Sequence, residues 1–428
     1  MTGRGAPLEV TYGEGWDGTA GRVAGPIAVE EARSRDAAGE PYAVVLTAAG
    51  SALPVAVLHI AWNDDYLGLW WFDEFGRRDR EVDLRRLESE RLFLRHDERW
   101  RYPDRETLEF SETSWHVTTD LFPDGRGRQV VEPRGRLGGS TYTVPELPVD
   151  RRWLPRPAFG DWAELLNVPV LGSGTTYRIR GNSPDPAEPS SGAPQPFGWH
   201  APAPYSEPLL DTLFTPGASV TNEESPDPIA IEVRTISSYT VTGSAVAFCD
   251  PQPVPSEGTD DLVIVDIPSG TYPLQESVVS YEGEMFGESF TVRESYAYRL
   301  LISDAPTVSW TMAIRTGDDP RLLRDGERSG FPVDTGTGCL VDVTARSALM
   351  RRFRDGESSP DEQYPDFDRV TDPDVGAELL AFPTGGDGDV TVWIGHDIQG
   401  NVTAVAIPMP LALIGVEPWT TEAAPTVA

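Results

Sequence analysis

The stretch Glu81-Val82-Asp83-Leu84-Arg85-Arg86-Leu87 alternates apolar and charged residues with a period of two. Successive side chains of a strand point to opposite faces, so this pattern predicts a half-buried antiparallel strand with Val82 and Leu84 inside and Glu81, Asp83 and Arg85 outside. Similar runs lie on both sides of it. Residues 42–47, 54–62 and 66–73 are apolar segments separated by turn residues, and Glu74-Phe75-Gly76-Arg77 reads as a hairpin turn. Residues 92–94 and 100–102 continue the pattern, which predicts an antiparallel meander, with 109–122 as a short helix. Residues 1–135 are therefore expected to form one α+β unit.

Composition supports the same class. Thirty-nine prolines and forty-one glycines among 428 residues cut the apolar material into short runs, the signature of many strands and not of long helices. The length fits two or three domains, each large enough to bury its own core. The boundary is expected between 136 and 204, where residues 182–196 read Asn-Ser-Pro-Asp-Pro-Ala-Glu-Pro-Ser-Ser-Gly-Ala-Pro-Gln-Pro. Such a composition cannot bury enough apolar surface to offset its ordering entropy and predicts an extended connection. Before it, residues 161–166 read as a short helix. Beyond it, residues 205–415 carry strand-like runs at close intervals, which predicts a sandwich or an open barrel with one or two short helices, and 416–428 form a tail.

Sixty-eight acidic residues against thirty-five basic ones give a formal charge of −33. A field of that sign repels nucleic acid and anionic membrane and attracts basic proteins. Every basic side chain is arginine, which excludes a Schiff-base lysine and a Walker-type phosphate lysine. Two cysteines, Cys249 and Cys339, fit a reducing compartment. The start of the sequence lacks the basic and apolar segments of a signal peptide, and its longest apolar runs are too short to span a bilayer; a cytoplasmic protein is expected.

Chemistry concentrates in Gly330-Phe-Pro-Val-Asp-Thr-Gly-Thr-Gly-Cys-Leu-Val-Asp342. Glycines at 336 and 338 free the backbone to aim the polar groups of Asp334, Thr335, Thr337, Cys339 and Asp342 at one point, or to make a tight turn. Residues 344–353 follow as a predicted helix, with Ala345, Ala348, Leu349 and Phe353 at helical spacing and Asp342 or Thr344 as its cap.

Five ordered motifs carry a family likeness: residues 213–217, 243–251, 268–274, 333–342 and 385–388, followed by Gly395, Asp397 and Gly400. Together, over about 205–413, they resemble the bacterial domain-of-unknown-function family 4241. The resemblance implies a shared domain and no particular reaction. After Asp387-Gly388 this chain departs from the family pattern, with Asp389-Val-Thr-Val-Trp in place of small or aromatic residues.

Three kinds of chemistry are compatible with these residues. Val333-Asp-Thr-Gly-Thr337 looks like the catalytic turn of aspartic peptidases, with Val392-Trp-Ile-Gly395 as the strand that would brace it. Two carboxyls sharing a proton would activate water there, and with one such motif in the chain the activity would need a homodimer. Asp387, Asp389 and Asp397, beside His396, offer ligands for a divalent metal, the one cofactor the sequence suggests. Cys339 and His396 could pair as nucleophile and base only if adjacent in space. His59, His96 and His116 lack metal-ligand spacing and read as surface or satisfied core residues. Against these stands a non-catalytic reading. An acidic, β-rich, two-domain chain, with Trp70 and Trp71 as candidate contact residues, suits an immunity- or inhibitor-like protein that captures a basic protein partner. The oligomeric state is left open.

Overall fold

A computed structural model describes residues 7–143, 147–162, 164–167, 178–182, 199–207, 209–222, 225–252, 262–285, 288–360, 367–409 and 411–419. The chain divides into two compact units, Met1–Ala203 and Pro204–Ala428.

The first unit holds β1 (Pro7–Gly13), β2 (Gly15–Asp17), β3 (Arg22–Ala24), α1 (Val29–Ala38), β4 (Tyr42–Ala48), β5 (Pro54–Ala61), β6 (Tyr66–Phe72) and β7 (Arg78–Glu88). It continues with β8 (Arg91–Arg101), β9 (Trp115–Leu121), β10 (Gly127–Glu132), β11 (Thr141–Thr143), β12 (Trp153–Pro155) and β13 (Arg178–Asn182). One eleven-stranded sheet runs β11-β10-β9-β8-β7-β6-β5-β4-β1-β13, with β12 pairing β8. From β4 to β11 each strand pairs antiparallel with the next, the meander that period-two alternation dictates.

Several local expectations fail here. Residues 109–122 hold no helix: β9 occupies the second half, where Val117, Thr118 and Thr119 are β-branched and β8 and β10 supply partners on both sides. Asp83 and Arg85, expected outside, are buried with Val82 and Leu84. The Asp83 carboxylate accepts from Tyr66 Oη and lies 3.5 Å from the Arg85 guanidinium, which packs over the Tyr66 ring. Both faces of this strand are therefore covered. The strands β11, β12 and β13, drawn from the stretch given as a connection, join this same sheet. Residues 161–166 form no α-helix among the described positions, which hold only a 3-10 turn at Leu165–Asn167. The Pro-rich run 183–196 lies outside the described residues.

The second unit comprises α2 (Leu210–Leu213), β14 (Ser219–Asn222), β15 (Ser225–Ala230), β16 (Glu232–Val241), β17 (Ala245–Cys249), β18 (Val263–Asp266), β19 (Gly270–Met285), β20 (Glu288–Leu301) and β21 (Ser309–Met312). Then come β22 (Phe331–Val333), β23 (Thr337–Asp342), α3 (Arg346–Arg354), β24 (Ser359–Pro360), β25 (Asp368–Thr371), β26 (Glu378–Pro383), β27 (Gly388–Val390), β28 (Trp393–His396), β29 (Val402–Pro408) and β30 (Glu417–Pro418).

Two six-stranded sheets, β16-β19-β20-β29-β28-β21 and β18-β17-β23-β26-β25-β24, share one core. Tyr239, Leu274, Tyr298 and Ile407 from the first meet Phe248, Val265, Leu340 and Phe382 from the second. The described strands of the unit thus form a sandwich and close no barrel. Each sheet also buries its outer face. Leu349 and Met350 of α3 pack on Ala247, Val341 and Leu379, each such side chain stabilising by about 2 kcal/mol. Leu210, Leu213 and Phe214 pack on Ala297, Trp393 and Ala406. No helix among the described residues is long and apolar enough to cross a membrane.

Candidate functional site

The glycine-rich stretch forms a turn between β22 and β23. Gly336 sits at φ 64°, left-handed backbone that an L side chain adopts only with strain, and the Pro332–Asp389 pairing of β22 with β27 brings a second acidic turn alongside. Asp334 N and Thr335 Oγ1 both donate to the Asp250 carboxylate, at 3.1 Å and 3.0 Å, while Gly336 N donates to Asp387 Oδ1 at 3.1 Å. Thr337 Oγ1 donates to Thr335 O at 3.4 Å. Asp334, Asp387 and Asp389 are exposed, and Asp389 lies 3.3 Å from Arg315. Asp250, which the sequence did not single out, ties the turn down. Its only signal was its place in the Cys249-Asp250-Pro251 motif.

The other candidates in this unit lie elsewhere. Asp342 ends β23, five residues from Thr337 and about 17 Å along the strand. It is fully buried and accepts from Thr242 N, Thr242 Oγ1 and Gly243 N through one oxygen and from Thr344 N and Oγ1 through the other. Burial opposes its charge, but these hydrogen bonds outweigh burial and hold the carboxyl below its usual range. It caps the turn leading into α3, the structural role expected for it, and is too far from Asp334 to share a proton.

Cys339 is buried directly opposite Cys249, with their Sγ atoms 3.5 Å apart. Burial, then the Cys249 thiol, pushes the Cys339 pKa well up, which disfavours thiolate. His396 is on β28, in the other sheet, where Nε2 lies 2.9 Å from Thr311 Oγ1. β28 pairs with β21 and β29 and so does not pair with either strand flanking the glycine-rich turn. Asp397 accepts from Gln399 N and Asn401 N and closes its own turn. Among the described residues, no group of three or more His, Cys, Asp or Glu side chains is placed to hold a metal ion.

In the first unit the structure assembles what the sequence left scattered. His116 of β9 stands between two carboxylates, with Nε2 2.6 Å from Glu98 and Nδ1 2.6 Å from Glu132. Both ring nitrogens can donate only when the imidazole is protonated. Burial disfavours that charge, yet the bonds to Glu98 and Glu132 prevail and raise the His116 pKa. Burial likewise would raise Glu98, but donation from His116 and His96 holds it down to about 2. His96 also lies 3.0 Å from Asp120.

Beside this network is a cavity of about 290 Å³ whose wall includes Arg78, Glu81, Trp100, Phe110, Ser114 and His116. A transverse stack runs along it. Trp70 and Phe110 sandwich the Arg78 guanidinium at 4.3 Å and 4.4 Å, Phe110 meets Trp100 at 4.8 Å, and Trp100 lies parallel to His116 at 5.4 Å. Phe110 takes its place through a backbone at φ 57°, costly for a bulky residue. Of the two candidate contact residues, Trp70 is thus half-buried in this stack, and Trp71 is buried with Arg80 over its ring at 4.7 Å. The missed signal was spacing across strands: His96, Glu98 and Trp100 share one face of β8, and register sets Glu98 against Thr118 and Trp100 against His116.

No curated protein and no solved structure matches the chain, and the N-terminal half has no family match. Residues 239–407, which run from within β16 to within β29 and span both sheets of the sandwich, match the family described as Protein of unknown function (DUF4241).

Proposed function

We propose that the chain is a non-catalytic interaction protein, immunity- or inhibitor-like, that captures a basic protein partner. The observation carrying this reading is that the candidate reactive groups do not converge. Asp342 is consumed as a cap, Cys339 is buried against Cys249, and His396 is in the opposite sheet from the turn that presents Asp334. What the glycine-rich turn does present is charge: Asp334, Asp387 and Asp389 are exposed on a chain of net charge −33. Complementary charge speeds capture of a cationic partner and rejects acidic ones.

The test is affinity capture from the producing cells at low and high salt, followed by reconstitution with the purified protein retained. The expected result is a basic protein held stoichiometrically, whose affinity falls steeply as ionic strength rises. Asp334→Asn removes one exposed charge of this turn and should weaken that affinity by no more than about 1 kcal/mol. Loss of a hydrolytic activity on the same substitution would instead overturn this reading in favour of the aspartic-peptidase-like one.

A further inference from the structure

Arg299 of β20 is a half-buried cation whose charge burial opposes. Burial lowers the pKa of Arg99, Arg152 and Arg299; Asp97 and Asp124 partly offset it for the first two, and no carboxylate among the described residues does so for Arg299. Its Nε and Nη2 both donate to the neutral Gln275 Oε1, and its guanidinium lies over the Phe214 ring at 4.4 Å. Burial draws its pKa down to about 10. A half-buried guanidinium with only neutral partners, facing an opening, has room for an anion.

The opening beside it is a cavity of about 440 Å³, with Phe214, Leu301 and Trp310 as apolar walls and Ser303, Asp211 and Asp304 among its polar groups. We propose that this cavity binds an organic carboxylate, with Arg299 as the anchor. The geometry selects that class. Gln275 occupies the Nε side of the guanidinium, which leaves the outer hydrogens of Nη1 and Nη2, a fork that matches the two oxygens of a carboxylate. The Ser303 hydroxyl accepts from Ala305 N at 3.4 Å and keeps its own proton to donate. Asp211, held by Trp310 Nε1 at 2.9 Å, and Asp304 add negative charge that admits a monoanion more readily than a phosphate dianion. The aromatic walls favour an apolar group attached to the carboxylate. This site lies in the second unit and does not depend on capture of a basic partner.

The test uses the full chain and calorimetric titration with N-acetyl-phenylalanine, its neutral amide and inorganic phosphate. The acid is expected to bind at least tenfold more tightly than the amide and than phosphate. Arg299→Gln should bring the acid to the level of the amide and leave the amide unchanged, while Arg299→Lys, which keeps charge without the fork, should fall between. Equal binding of acid and amide by the unmodified protein overturns the proposal without reliance on any variant, as does tighter binding of phosphate. Benzoate and a short peptide with a free C-terminus, compared in the same way, distinguish a small acid from a peptide end as the source.

Discussion

Replacing Asp342 separates a structural carboxylate from a reactive one. Its side chain accepts three backbone N–H groups and two hydroxyls, all from residues 242–243 and 344. Thr242 and Thr344 reach the surface, so water can recover part of what the carboxylate leaves, and about 1 kcal/mol per bond is the fitting scale. Asp342→Ala should then lose about 5 kcal/mol, a large share of the roughly 5–15 kcal/mol that keeps a protein folded. Asp342→Asn can place its carbonyl where Oδ2 now accepts three bonds, but sets an amide against Thr344 N, and should lose about 2 kcal/mol. Urea unfolding of the full chain at neutral pH gives the totals, and hydrogen exchange of peptides covering 240–246 and 340–348 localises the loss. The sign with pH follows from a depressed folded-state pKa. The contribution is full above the unfolded value of about 4 and disappears as pH falls through the folded one. The reasoning is refuted if both variants unfold within about 0.5 kcal/mol of the unmodified protein, the range of an uninvolved surface position.

Two further outcomes follow from described geometry. Cys249 and Cys339 face each other, so treatment with diamide, which takes up two electrons and two protons as the thiols join, should slowly remove both free thiols and lower the mass by about 2 Da; closing so long a loop stabilises by up to about 4 kcal/mol, and Cys339→Ser should abolish the effect. Persistence of two titratable thiols under conditions that open the sheet counts against the pairing. The His116 bridge should be strongest between about pH 4.5 and 6.5, because its raised pKa makes its contribution fade as pH rises through the folded value, and the depressed Glu98 makes its own fade as pH falls toward about 2. His116→Gln should flatten the alkaline arm in thermal unfolding from pH 6 to 9, and an unaltered arm would place that titration on another group.

Strands were legible where one physical signal dominated. Residues 81–87 alternate cleanly, and β7 forms there; residues 344–353 repeat at helical spacing, and α3 begins within one turn of them. The failures share a cause. Asp83 and Arg85 look external because period-two reading assumes one wet face, whereas here each is buried as part of an ion pair. In 109–122, the neighbours that turn 115–121 into a strand are β8 and β10, and pairing across strands leaves no mark in a local window. The site candidates divide in the same way. Asp342 as a cap is readable from its place before a helix, but the His116 network depends on register among three strands, and the neutral setting of Arg299 depends on the pairing that places Gln275 opposite it.

The stack from Trp70 through Arg78, Phe110 and Trp100 to His116 links β6, β7, β8 and β9 across their sheet. Ladder hydrogen bonds repeat along a strand, and by themselves they tolerate a shift of alignment. A one-residue slide of β7 or β8 would carry Arg78 or Trp100 to the opposite face and break two links of the stack at about 0.5–1 kcal/mol each. The row therefore acts as a keyed shaft. It locks strand alignment mechanically, so pulling β7 or β8 lengthwise should meet resistance that the backbone ladder alone does not supply.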